Sequence, residues 1–247
     1  KAQMMKKIFF YFFGVIFNGD NCVYDRYKWL KKYLPKFNLN EGKELLDIGC
    51  GNGWALFAAK FGYNVTGVSF DQKDLSKIRE RSKDDSIKLV NHDVRDLDKL
   101  ETEIKYDVIL NFENIEHIFD YKKLIKDMSN HLNRDGLIFI TTPNLFHKIP
   151  FCKEPKLSDF EDGGHVIRGF TFNQIEEEAV KNNLRVIRRS YISHRLSLML
   201  LGLTRLVDWK LLKIITIPLT ILFNFIDTVF FKKYSNSLSI GLILQKK

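Results

Sequence analysis

"ELLDIGCGNG", residues 44–53, decides the fold. Its first half is an apolar run of the kind that lies inside a sheet, and its second half places glycines at 49, 51 and 53. Glycine turns the backbone through the left-handed region without steric cost and lets a ligand approach the main chain closely. A strand that enters such a turn and leaves it as a helix gathers unpaired N–H groups and a positive dipole end at one point. A dinucleotide fingerprint would need glycine at 54, where Trp54 stands, and no P-loop lysine follows. What remains is G-x-G-x-G preceded by an acid, Asp47.

Outward from this turn, strand-like and helix-like patterns alternate. Residues 43–48, 64–69, 87–91, 106–111, 136–142 and 184–191 read as strands, with a last one inside 237–245. Residues 54–61, 71–82, 121–132 and 172–182 read as the helices between them. Alternation at this spacing predicts parallel strands joined by right-handed crossovers: an α/β fold with a doubly wound, mostly parallel, seven-stranded sheet. Ligands then bind at the carboxyl ends of the strands, near the point where strand order reverses. Residues 1–38 are expected to form an N-terminal helical cap on a domain covering 39–247, with inserts at 143–170 and 192–236. The first insert is a substrate loop and the second a helical, basic and apolar segment. Lys1–Gln3 reads as an added leader, with a natural start at Met4 or Met5.

Charge is unevenly spread. Residues 1–184 carry 28 basic and 28 acidic side chains, so the formal excess of +9 lies wholly in 185–247, with eleven Lys/Arg against Asp208 and Asp227. Such a patch suits an acidic partner, such as phosphate or an anionic membrane surface. Nucleic acid is disfavoured, because the basic residues are mixed with leucine and isoleucine rather than with arginine runs and exposed aromatics. The run "IFFYFFGVIF" (8–17) lacks a small-x-small cleavage site after it and is too short to span a bilayer, so it is read as a core-packed or interfacial helix. In "LLKIITIPLTILFNFIDTVFF" (211–231) the polar residues Lys213, Thr216, Thr220, Asn224 and Asp227 make one narrow helical stripe, and Pro218 is placed to open a helix. One or two amphipathic helices are expected here, packed on the core or lying in a membrane surface. Three scattered cysteines, Cys22, Cys50 and Cys152, argue against a disulfide framework and for a reducing compartment. The expected location is cytoplasmic, peripheral on the inner face of the membrane.

"ENIEHI" (113–118) follows the fourth strand. On a helix Glu113, Glu116 and His117, at i, i+3 and i+4, would share one face. Such a face is a solvated or dipole-stabilising turn, a histidine base with its orienting acid, or a metal-binding set.

The segment "LLDIGCGNG" resembles motif I of the class I S-adenosylmethionine-dependent methyltransferases, a Rossmann-like family. "NVTGVSFD", "NHDVRD", "YDVILNFENIEH" and "LNRDGLIFITTPN" resemble its following strands and loops, over roughly residues 40–190. The resemblance implies S-adenosylmethionine as cofactor, with Gly49 and Gly51 cradling its methionine portion and Asp47 supporting the loop. Asp93 and Val94 would face adenine. The ribose acid is replaced by Ser69, with Asp71 two residues on. The E-x-x-E-H run resembles ubiquinone-pathway O-methyltransferases and small-RNA 2′-O-methyltransferases. That likeness implies a catalytic pair, His117 and Glu113, and a metal set of Glu113, Glu116, His117 and His165, whose oxygen and nitrogen ligands suit Mg²⁺ or Mn²⁺. "EDGGHVIRGFT" is similar to methyltransferases of bacterial surface-glycan assembly, including lipopolysaccharide. The reading is therefore O-methylation of a lipid-linked or nucleotide-linked sugar hydroxyl. Methylation of a polyprenyl quinone precursor is the rival, RNA 2′-O-methylation ranks below it, and a non-catalytic cofactor-binding scaffold is the non-enzymatic alternative.

Overall fold

Near-continuous apolar sequence makes Lys43–Ile48 a strand, β1, inside a mixed seven-stranded sheet. The computed structural model describes residues 21–38, 41–53, 58–81, 87–102, 104–206, 216–231 and 234–247. The apolar run at 8–17, the start of the helix expected at 54 and the beginning of the 211–231 stretch lie outside them. The other strands are β2 (Tyr63–Ser69), β3 (Ile87–Asn91), β4 (Tyr106–Phe112), β5 (Leu132–Pro143), β6 (Leu184–Ile192) and β7 (Ser239–Lys246). Their order is β3-β2-β1-β4-β5-β7-β6. The doubly wound α/β sheet is thus as expected, and the pairings of β1 with β2 and β4, of β2 with β3, and of β4 with β5 are all parallel. Order reverses between β1 and β4, so the glycine turn after β1 opens at the switch point.

The chain divides into two units. One comprises Pro35–Leu145, Lys156–Arg189 and Ile240–Lys247, and the other Lys1–Leu34, Phe146–Pro155 and Ser190–Ser239. In the first, α2 (Gln72–Arg81), α3 (Tyr121–His131) and α4 (Phe172–Lys181) accompany the sheet. β1 and β4 are buried on both faces, as parallel strands between helices must be: Leu45, Leu46, Ile48, Ile109 and Leu110 are all 0% exposed. α2 presents Leu75 and Ile78 to Cys50 and Leu89, and burial raises the Cys50 thiol far above its usual range. β5 starts four residues earlier than predicted. Asp135 takes φ 61° and the register with β4 slips between Tyr106/Leu132 and Val108/Leu137, so a turn-like Asn-Arg-Asp-Gly run is absorbed as a bulge. The long loop after β5 is stitched at its base by a bridge between Asn144 and Phe170. Gly169 is required there, because a Cβ would stand 2.4 Å from the Pro143 carbonyl oxygen.

In the other unit, α1 (Asn21–Tyr33), α5 (Arg195–Leu206) and α6 (Ile217–Phe230) pack together. Pro218 sits at the start of α6, where its missing N–H costs nothing. An apolar cluster of Cys22, Leu198, Leu201 and Leu238 forms one side of the packing. The other side is polar. The Asp227 carboxylate accepts the Leu196 and Ser197 N–H groups at 3.0 and 2.9 Å, which caps the start of α5. Asn224 donates to Asp25 at 2.7 Å, and Asn21 to the Ser197 carbonyl at 2.8 Å. Burial pushes the Asp25 carboxyl up to about 6, against the hydrogen bonds it receives from Ser193, Ser197 and Asn224. Burial also pulls His194 down, against the nearby Asp227 charge. Among the described residues, no helix is long and apolar enough to cross a membrane.

Candidate active site

A cleft of about 480 Å³ opens at the carboxyl ends of the strands and is lined by residues of one unit only. Its floor is the glycine turn. Gly49 has φ 72° and ψ 46°, donates its N–H to the Val68 carbonyl at 3.0 Å, and leads into a short 3₁₀ turn, Cys50–Asn52. A Cβ at position 49 would stand 2.7 Å from Asn114 Oδ1, and one at 51 would stand 2.3 Å from Asp74 Oδ2. Gly49 is therefore needed for its left-handed backbone and for the approach of Asn114 from the segment after β4, and Gly51 leaves room for the Asp74 side chain of α2. Asp47 is 1% exposed and sits in β1, outside the cleft lining.

One wall follows β2 and β3. Ser69 and Asp71 both line the cleft, and both side chains also hold backbone two residues on: the Ser69 hydroxyl accepts the Asp71 N–H at 3.1 Å. The Asp71 carboxylate accepts the Lys73 N–H at 2.8 Å, opening α2. Asp74, one turn along α2, also faces the cleft, as does Phe70. Asp93 and Val94 follow β3 and line the cleft. Asp93 is clamped by the Arg95 guanidinium, which holds its carboxyl below the usual range, and Arg95 reaches on to Glu161 at 2.9 Å.

The opposite wall is "ENIEHI", and here the structure departs from the reading. The three residues do not share a helical face. Glu113 takes φ 49° and gives its N–H to the Thr141 carbonyl at 2.8 Å, and only Ile115–His117 form a single 3₁₀ turn. The pull of β5 on position 113 and the contact of Asn114 with Gly49 override the local helical pattern. In consequence Glu113 and His117 line the cleft, whereas Glu116 is 0% exposed and turns inward to accept the Thr142 hydroxyl at 3.1 Å.

The loop after β5 completes the wall. The Glu116 carbonyl accepts the N–H groups of Val166 and Ile167, both at 3.0 Å, which draws His165 toward His117 with ring centres 4.7 Å apart. His165 Nε2 and His117 Nε2 each lie 4.0 Å from Glu116 Oε1. The Gly164 carbonyl lies 2.9 Å from His117 Nδ1. A carbonyl can only accept, so Nδ1 carries the hydrogen and Nε2 of the neutral ring keeps its lone pair. Asp162 lines the cleft and also shapes the turn: it accepts from Ser158 and from the Gly164 N–H, both at 3.0 Å. Glu161 ties the loop down by accepting the Phe119 N–H at 2.6 Å and by its contact with Arg95.

Ligand atoms of Glu116, His117 and His165 lie within 4.8 Å of one another, and Glu113 is not among them. The set fits a divalent cation on chemical grounds. Each histidine offers Nε2, the His117 ring is fixed by a backbone carbonyl, and the carboxylate is held by a hydroxyl, as metal ligands usually are. Sequence reasoning missed Asn114, Asp74, Arg95 and Glu161. Their partners stand up to 66 residues away, and only position 74, five residues after the second strand's end, carried a local cue.

A glycine turn at the switch point, facing an acid–imidazole cluster across one cleft, defines a transferase-type small-molecule site on a Rossmann-like sheet. The chain belongs to the methyltransferase domain family, whose model matches residues 23–188. Among curated relatives it is 30% identical over 117 residues to the ubiquinone biosynthesis O-methyltransferase of Rickettsia akari (strain Hartford), covering 47% of this chain and 46% of that one. It is 39% identical over 118 residues to the (S)-coclaurine N-methyltransferase of Papaver somniferum, covering 45% and 32%. The chain spans at most half the length of these relatives. In fold it matches the S-adenosylmethionine dependent methyltransferase of Mesorhizobium loti, with TM-score 0.60, 14% identity and coverage of 93% and 100%. It also matches the phosphoethanolamine N-methyltransferase 2 of Haemonchus contortus, solved in complex with S-adenosyl-L-methionine, with TM-score 0.58, 21% identity and coverage of 88% and 51%.

Proposed function

We propose that this chain transfers the methyl group of S-adenosylmethionine to a hydroxyl oxygen that has a second oxygen beside it. The observation that carries the reading is that His117 and Glu113 share one cleft with Gly49 and Gly51. The glycine turn holds the cofactor's methionine end, Asp93, Val94 and Phe70 border its nucleoside, and Ser69, Asp71 and Asp74 are the polar groups near its ribose. The acceptor hydroxyl lies against His117. Its O–H proton passes to His117 Nε2, the new O–C bond forms as the C–S bond breaks, and S-adenosylhomocysteine leaves. Gly164 keeps Nδ1 as the donor, so the lone pair stays at Nε2. In a second reading, favoured by the closeness of their ligand atoms, Glu116, His117 and His165 would hold a divalent ion, Mg²⁺ or Mn²⁺, which when bound would supply charge stabilisation to the acceptor oxygens; the His117 Nε2 lone pair would then be a metal ligand, and the acceptor proton would pass to Glu113, the other acid–base group lining the cleft.

An amine acceptor, as the name of the Papaver relative indicates for that enzyme, needs no such oxygen-activating cluster once it is unprotonated. Oxygen is therefore the better match. Among oxygen acceptors, a polyprenyl quinone precursor with a catechol-like pair is favoured by the Rickettsia relative's name, and the sugar hydroxyl receives no support from the relatives. The experiment is calorimetry with S-adenosylmethionine and S-adenosylhomocysteine, followed by methyl transfer to a prenylated catechol and to a nucleotide-sugar. Binding of neither cofactor form would end the proposal, and transfer to the sugar alone would reverse the order of acceptors.

A further inference from the structure

α6 is built inside out. Thr216, Thr220 and Asp227 face the interior at 9%, 3% and 1% exposure, Asn224 turns the same way to reach Asp25, and Thr228, exposed at the edge of this stripe, gives its hydroxyl to the Asn224 carbonyl. Its large apolar residues face outward: Leu219, Ile221, Leu222, Phe225, Val229 and Phe230 are all exposed, Phe225 at 66% and Phe230 at 74%. At 100° per residue these six span about half of the helix circumference, so the exposed arc is continuous. Interior polar groups do not explain this orientation away; they fix it, because Asp227 caps α5 and Asn224 binds Asp25. A helix that spends its polar stripe on its own unit leaves the apolar side for something else.

Charge indicates what that is. In sequence the helix is bracketed by Lys210 and Lys213 before it and by Lys232 and Lys233 after it, and its one acid, Asp227, is buried. The neighbouring α5 adds outward-facing Met199, Leu203 and Leu206 beside exposed Arg195 and Arg205. Apolar side chains flanked by cations match the two layers of an anionic bilayer surface, acyl boundary and headgroup. At 14 residues, about 21 Å, the helix is too short to span the hydrocarbon core and long enough to lie in its interface.

We infer that α6 is an interfacial helix that seats the protein on an anionic membrane through Leu219, Leu222, Phe225, Val229 and Phe230. This does not rest on the proposed reaction. The test is flotation of the whole chain with vesicles of neutral phosphatidylcholine and with vesicles containing 30% phosphatidylglycerol, beside the Leu222→Glu/Phe225→Glu variant. Both substituted side chains are exposed, so the fold should persist, and an unchanged thermal transition and cofactor binding confirm it. The wild type is expected to bind anionic vesicles at least tenfold better than neutral ones, less so in 0.5 M salt, and the variant to lose that binding. A Phe225→Trp probe should shift its emission to the blue with the same vesicles. No binding to either vesicle overturns the inference, as does binding that the double substitution leaves intact, which would place contact elsewhere in the chain. Self-association that is concentration-dependent and abolished by the variant, without vesicle binding, would assign the face to a second copy and equally overturn it.

Discussion

Replacing Asp25 by Asn should make the protein more stable at neutral pH and not at acid pH. Asp25 is 5% exposed, and burial pushes its carboxyl up to about 6 from the usual 3.8. The sign follows from proton linkage. Below about pH 4 the group is protonated in folded and unfolded chains alike and costs nothing. Between about 4 and 6 the unfolded chain ionises first, so folding stability falls as pH rises, and above 6 the penalty levels off. Two pK units correspond to about 3 kcal/mol, an upper figure for a site with hydrogen bonds to share. In Asp25→Asn the amide oxygen still accepts from Asn224, now bonded at 2.7 Å, while the charge and its repulsion by Asp227 disappear. Urea unfolding of both proteins at half-unit steps from pH 4 to 8 should give a difference near zero at pH 4 that grows to about 2–3 kcal/mol by pH 7. Other titrating groups, His194 included, cancel in the difference. A difference that is flat with pH, or a variant less stable at pH 8 than the wild type, would refute the reasoning.

Gly49→Ala must place a side chain at φ 72° with its Cβ 2.7 Å from Asn114 Oδ1, so it should cost about 1–3 kcal/mol and weaken S-adenosylhomocysteine binding more than tenfold by calorimetry. Glu116→Gln keeps an acceptor for the Thr142 hydroxyl, 3.1 Å away, but removes the carboxylate. Its thermal transition should stay within a few degrees of wild type while Mn²⁺ affinity, followed by electron paramagnetic resonance, falls about 10–100-fold. Asp227→Ala leaves the Leu196 and Ser197 N–H groups without their cap and should destabilise the protein by about 1–3 kcal/mol in urea. The same substitution should lower the Asp25 titration midpoint in carboxyl-carbon NMR, because the Asp227 charge contributes to raising it.

The sheet was legible because its strands are buried on both faces and therefore read as unbroken apolar runs, and because glycines at 49, 51 and 53 have few other uses after such a run. What was not legible is set by distant partners. The 113–118 segment has helical spacing, yet Thr141 holds Glu113 at positive φ and Asn114 is drawn against Gly49. Nothing near Arg95 announces that its guanidinium joins Asp93 to Glu161. In 211–231 the polar stripe was visible, but its direction was not. Segregation of side chains says that a helix has two sides; Asp227 at the start of α5 and Asn224 at Asp25 determine which one turns in.

The contact between the Gly164 carbonyl and His117 couples the imidazole's tautomer to the position of the loop after β5. The same short stretch carries Glu161, anchored to Phe119, and Asp162, which shapes the turn that presents the Gly164 oxygen. A displacement of that stretch by the length of one hydrogen bond would release Nδ1 and let the imidazole exchange its tautomer. In the proposed reaction, loop position and the direction in which the His117 lone pair points would thus vary together.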